Sequence, residues 1–148
     1  MPTLLREPHP DYAESSEKLG ACALIAANTP RLRLMPAVEL VQRCMPAILH
    51  DQLLLIFNDR SEPHTAIAWA TLAPDVEARL IADPGYTLHY CEWNEGESLW
   101  VMTVLSRGDF RAALSLAFSA VPLRHKTIRF FRPTRDGGLK LTTWELGS

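Results

Sequence analysis

The chain has 148 residues, with 15 basic and 17 acidic side chains and a formal net charge of -2. That length suits one domain whose core is large enough to need no disulfide or metal, and the near balance of charge excludes a dedicated nucleic-acid binder, whose phosphate contacts need a basic face. No apolar run reaches the roughly 20 residues that span a bilayer, and the scattered Cys22, Cys44 and Cys91 lack metal-ligand spacing, so they read as small, buried, reduced thiols of a cytoplasmic protein.

The first residues carry Pro2, Pro8 and Pro10 without a charged-then-apolar signal pattern, and disorder is expected up to about residue 11. Leu19, Cys22, Ala23 and Ala26 recur at helical spacing, which predicts a helix from about Tyr12 to Ala27, stopped by Asn28-Thr29-Pro30. "PAVELVQRCMPAILHD" predicts a second helix, with Pro36 in its first turn and a kink or break at Pro46. "QLLLIFN" and "TAIAWATLA" read as strands around the polar turn "DRSEPH", and "PDVEARLIAD" as a short helix. "YTLHYCEW" and "SLWVMTVLS" read as two further strands around "NEGE". Phe110 to Ala120 reads as a helix capped by Asp109 and ended by Pro122. "KTIRFFRPT" and "GLKLTTWEL" predict a closing hairpin through Arg135-Asp136-Gly137-Gly138. Helices interspersed with a mainly antiparallel sheet define an α+β (α/β layered) fold over residues 1–148, with Gln52–Asn58, Thr65–Leu72, Tyr86–Glu92 and Ser98–Ser106 expected in one continuous sheet.

The segment that invites a ligand is Ser106-Arg107-Gly108-Asp109, where a buried strand feeds a helix. A helix N-terminus offers free amides and partial positive charge, Gly108 permits close approach, and Arg107 adds a cation. The Asp109 carboxylate competes for the same amides, and a tight turn with a solvated arginine explains the same residues. The histidines His9, His50, His64, His89 and His125 show no i,i+4 metal spacing, and no metal site is expected. His89 and Cys91, two apart on an expected strand, would share a face as a thiol–imidazole pair or as plain sheet neighbours. Trp69, Trp93, Trp100 and Trp144 read as core or sheet-face aromatics. Arg31 and Arg33 are a candidate contact for an acidic partner or simply solvated charges. No G-x-S-x-G, Walker loop or G-x-G-x-x-G is present.

In order along the chain, "LGACALIAANTPRLRLMPAVEL", "MPAILHDQLLLIFND", "AIAWATL" and "EWNEGESLWVMTVLSRGDF" together resemble the RTX toxin-activating lysine acyltransferases, the haemolysin-activating family. The resemblance runs from about Glu17 to Glu145. It implies a GNAT-like fold and transfer of a fatty acyl group from acyl carrier protein or acyl-CoA to a lysine or ornithine side-chain amine. The acceptor would be a protein or a ribosomal peptide, the latter favoured by the short chain past the last strand; a homodimer is compatible with this reading. The loop Ser106, Arg107, Gly108 and Asp109 would then hold the donor.

The family pairs a histidine after a Ser-Pro with an aspartate on the strand before the Gly-Asp loop. Here the Ser-Pro is Thr29-Pro30, the histidine position is Leu32, and the aspartate position is Thr103, or Met102 if the gap is moved. The usual base and its partner are both absent. Transfer to an amine needs alignment above all, so a re-tooled enzyme would use water, Thr29, Thr103 or His89 for the proton. The alternative is a non-catalytic module of the same fold that binds an acyl carrier or a toxin.

Overall fold

The computed structural model describes residues 10–120 and 127–145. Helix α1 spans Pro10–Ala27 and buries Cys22, Ile25 and Ala26. Pro10 is thus the first residue of a helix, although disorder was expected through it. The end of α1 is closed by side chains: Asn28 Nδ2 donates to the Leu24 carbonyl at 2.8 Å and Thr29 Oγ1 to the Ile25 carbonyl at 2.7 Å, which satisfies carbonyls that a helix end leaves without partners.

Helix α2 spans Ala37–Leu49 and runs without interruption through Pro46, so the expected break there is corrected. Pro46 removes one backbone donor. Cys44, Ala47 and Ile48 on either side of it stay buried, and the His50 amide donates to the Pro46 carbonyl at 3.0 Å. Packing and the resumed ladder outweigh the local cost.

Strands β1 (Leu53–Phe57) and β2 (Pro63–Leu72) form a hairpin. Its turn is set by Asn58, whose Oδ1 accepts from the amides of Arg60 and Glu62. Helix α3 (Pro74–Ala82) starts at a proline, as its sequence predicts. The next segment departs from expectation. Tyr86–Glu92 forms no strand; an extended stretch ends in a 3-10 turn at Tyr90–Trp93. Glu92 explains this, because its Oε1 accepts from the His89 amide at 2.8 Å and from the Tyr86 hydroxyl at 2.7 Å. That local closure competes with a sheet ladder for the backbone. Leu88 and Trp93 are still buried, but against α3 and β2 rather than as strand residues.

Strand β3 (Ser98–Ser106), helix α4 (Phe110–Ala120) and the hairpin of β4 (Thr127–Pro133) and β5 (Leu139–Glu145) match their predicted places. Gly137, with φ of 87°, takes the left-handed turn position that glycine favours. Pro122 lies outside the described residues.

The five strands form one sheet in the order β1-β2-β3-β4-β5, antiparallel except at β3–β4. The α+β layered expectation holds, with β2 pairing directly to β3. Alternation along β2 sends Ala66, Ala68, Ala70 and Leu72 to one face, packed under α1, α2, α3 and the 3-10 turn. Ile67 and Trp69 go to the other face, beside Leu114 of α4. These three alanines and Leu72 of β2 are buried, as are Trp100 and Leu105 of β3 and Ile128 of β4.

Candidate functional site

Two irregularities in β3 shape the site. The first is a bulge. Ala68 pairs with Thr103 and Trp69 with Val101, so Met102 has no opposite residue. The extra residue resets the alternation: Trp100, Thr103 and Leu105 all lie opposite the alanines of the helix-covered face. Without the bulge, Thr103 would point toward α4. Of the two alignments the family resemblance allowed, Thr103 is the position on the face where α1 and α2 pack, and Leu32 packs against the cluster of Ala66 and Leu105 on that same face. The two positions that would carry the family's histidine and aspartate are therefore on one side of the sheet, occupied here by a leucine and a threonine.

The second irregularity is the parallel contact between β3 and β4, which has a single register pair, Trp100↔Arg129. Among the described residues no other pair of the two strands is in register, although Val101 and Phe130 pack in one cluster and Trp100 and Phe131 lie with ring centroids 5.4 Å apart. The bridge is pinned by Glu77 of α3. Its Oε1 accepts from Trp100 Nε1 at 2.9 Å, Arg129 Nη1 at 2.9 Å and Ser98 Oγ at 2.5 Å. Burial opposes the charge on Glu77, but the hydrogen bonds from Ser98 and Trp100 and the Arg129 charge outweigh it and hold the carboxyl below the usual range.

At the end of β3 the Ser106–Asp109 loop is internally bonded. Ser106 Oγ accepts from the Gly108 amide at 3.1 Å and lies 2.9 Å from Thr65 Oγ1. The Arg107 amide donates to the His64 carbonyl at 3.0 Å, and Arg107 Nη1 pairs with Glu62 at 3.3 Å. Asp109 Oδ1 accepts from the Arg111 amide at 3.3 Å, the cap its sequence predicts. Arg31 Nη2 reaches the Ser106 carbonyl at 3.3 Å and ties the α1–α2 segment to the loop.

The remaining sequence candidates fall as follows. Thr29 is buried, with its hydroxyl proton given to Ile25. His89 is exposed and belongs to the 3-10 turn, whose neighbour Gly96 donates to the Thr71 carbonyl. That is the Leu72–Ser98 end of the β2–β3 ladder, whereas Ser106 closes the Thr65 end; the ladder between them is about 20 Å long at the usual strand rise. The structure brings Thr103 and the Ser106–Asp109 loop to one end of β3 and leaves His89 at the other. His89 and Cys91 do not share a strand face. Cys91 is exposed, which corrects its reading as buried, while Cys22 and Cys44 are buried together between α1 and α2. Cys44 as hydrogen-bond partner, with burial, pushes the Cys22 thiol up and keeps it protonated. Among the described residues no group of three His, Cys, Asp or Glu side chains is placed to hold a metal, and no helix is long and apolar enough to cross a membrane.

His64 is the residue that sequence reasoning passed over. Its Nδ1 lies 2.8 Å from Thr65 Oγ1 and so joins the Thr65–Ser106 pair. No spacing along the chain signals it, because the contact depends on the β2–β3 register of Thr65 with Ser106.

A mainly antiparallel sheet layered with helices, whose middle strand runs parallel to β4 and feeds a helix, is an α+β layered arrangement. The sequence model of the RTX toxin acyltransferase family, HlyC, matches residues 12–144, and the chain belongs to that family. It is 34% identical over 84 residues to the RTX-II toxin-activating lysine-acyltransferase ApxIIC of Actinobacillus pleuropneumoniae, a match covering 57% of this chain and 51% of that protein. Over 84 residues it is 32% identical to the leukotoxin-activating lysine-acyltransferase LtxC of Aggregatibacter actinomycetemcomitans, covering 57% and 49%. The chain spans about half the length of the curated relatives it matches.

Proposed function

We propose that this protein is an N-acyltransferase that moves a fatty acyl group from an acyl thioester to a lysine or ornithine side-chain amine of a protein or ribosomal peptide. The observation that carries the reading is the family match over residues 12–144, which takes in nearly every element of the fold. The donor is acyl carrier protein or acyl-CoA, and the work is done in the cytoplasm.

The single parallel contact between β3 and β4, where the register is shortest, is the place proposed for the thioester arm. Val101, Met102, Phe130 and Phe131 supply apolar side chains on these two strands, as an acyl chain requires. Ser106, Arg107, Gly108 and Asp109 lie at the end of β3, where Arg107 would exchange Glu62 for the donor's phosphate. Thr103 faces the covering helices and would hold a water. Holding amine and thioester in line supplies much of the rate of such a transfer. Incubating the protein with acyl carrier protein thioesters and candidate peptides, read by intact mass, tests the reading.

Leu32 and Thr103 favour a second reading, a non-catalytic module that binds an acyl carrier or a toxin. In that case the carrier or the peptide binds and the acyl chain never moves.

A further inference from the structure

His64, Thr65 and Ser106 form a continuous polar chain at the Thr65–Ser106 end of the β2–β3 ladder, with the Thr65 and Ser106 side chains on the sheet face opposite the one that Leu32 and Thr103 share. Thr65 and Ser106 are each 1% exposed, yet their hydroxyls lie 2.9 Å apart, and the Thr65 hydroxyl lies 2.8 Å from Nδ1 of the half-buried His64. Burial of two hydroxyls is sustained because each has partners, and Ser106 gains a further one from the Gly108 amide. His64 is held at both its backbone and its ring. The His64 carbonyl accepts from the Arg107 amide, and Gly108 packs so close that a Cβ there would lie 3.0 Å from His64 Cε1. Nδ1 is bound to Thr65, whereas Nε2 makes no hydrogen bond among the described residues. Arg31, one residue before Leu32, is bonded to Ser106 and brings the α1–α2 segment to the same corner.

We propose that His64 is the general base of this protein, an imidazole at the Ser106 end of β3 rather than on the face that Leu32 and Thr103 share. The inference rests on the acyltransferase reading above. In the base-competent tautomer Nδ1–H donates to Thr65 Oγ1 and the Thr65 hydroxyl donates to Ser106 Oγ, which leaves the Nε2 lone pair free. The neutral acceptor amine attacks the thioester carbonyl carbon. The new C–N bond forms, the C–S bond breaks, and the proton shed by the nitrogen goes to Nε2. The imidazolium then returns that proton to the leaving thiolate, so the products are an amide and a thiol, and His64 is restored.

The test uses the full chain, a myristoyl thioester of acyl carrier protein and a lysine peptide from its own gene cluster. His64→Asn keeps a polar atom where Nδ1 meets Thr65 but removes the base. The expected result is a fall in kcat of about 10²–10⁴-fold with the donor KM unchanged, and partial recovery of a His64→Ala variant by added imidazole. Retention of kcat within about threefold in His64→Asn, or loss in His64→Ala that imidazole leaves unmoved, assigns the chain of hydroxyls a purely structural role and overturns the proposal. His64→Gln replaces His64→Asn if the latter fails to unfold cooperatively on heating. Transfer by the wild type with full activity in His64→Asn overturns the base alone; absence of transfer by the wild type overturns the acyltransferase reading and the base with it.

Discussion

Glu77 is the side chain on which the shape of the site most depends. One carboxylate oxygen gathers Ser98, Trp100 and Arg129, and so joins α3 to both strands at the only β3–β4 register pair among the described residues. Glu77→Ala leaves the indole N–H of fully buried Trp100 without its acceptor, a loss of about 1–3 kcal/mol measurable by denaturant unfolding. The pH dependence has a definite sign. The folded carboxyl is held below its ordinary range, so the unfolded chain takes up the proton at the higher pH. The stabilisation is complete above the unfolded value of about 4.3 and is lost as pH falls through the folded one. The stability gap between wild type and Glu77→Gln therefore narrows on acidification; a gap that stays constant from about pH 7 to about pH 3 contradicts this account. None of this was legible along the chain, since Glu77 and Arg129 are far apart in sequence. Trp100 was legible as core because its apolar strand fixes that role by itself.

At the scale of elements, helices α1 and α3 and strand β3 could be read from periodicity and proline placement. Tyr86–Glu92 could not, because its alternating pattern is a true strand signal that Glu92 defeats through local hydrogen bonds to Tyr86 and His89. The bulge at Met102 was equally hidden, as it leaves no mark in the composition of β3. The "NEGE" turn was legible, and Gly96 shows why it must be a glycine. A Cβ there would lie 2.0 Å from the Leu72 carbonyl carbon and 2.1 Å from the Ala73 nitrogen. Both are backbone atoms, so no rotamer change relieves the clash, and Gly96→Ala is expected to cost about 3 kcal/mol or more. Thermal unfolding within a degree or two of wild type would show that the turn does not approach β2 this closely. The Ser106–Asp109 loop belongs to the same scale. Reversing its charge with Arg107→Glu is expected to raise the donor KM at least tenfold, about 1.4 kcal/mol. Unchanged donor affinity in the folded variant removes Arg107 from the donor site.

For the whole molecule, the layered fold followed from the order of helices and strands, while the family followed only from the succession of weak local matches from Glu17 to Glu145. The site is split in the same way. Its loop was visible as a strand feeding a capped helix, and its missing pair was visible at Leu32 and Thr103; the His64 chain needed the β2–β3 register. Because Leu32 and Thr103 attend the same face of the sheet, Leu32→His combined with Thr103→Asp is expected to raise transfer in a His64→Asn background, measured as kcat with the same donor and peptide. No gain in that background means the two positions do not meet at the reacting atoms. The claim on which the rest depends is that the protein forms an amide bond at all. The direct measurement is intact mass of a lysine or ornithine peptide from its own gene cluster after incubation with acyl carrier protein thioesters, followed by hydroxylamine, which cleaves thioesters and spares amides. The account predicts a hydroxylamine-resistant acyl mass on the side-chain amine, formed well above background aminolysis; binding of carrier and peptide with no such mass from any acyl donor would contradict it.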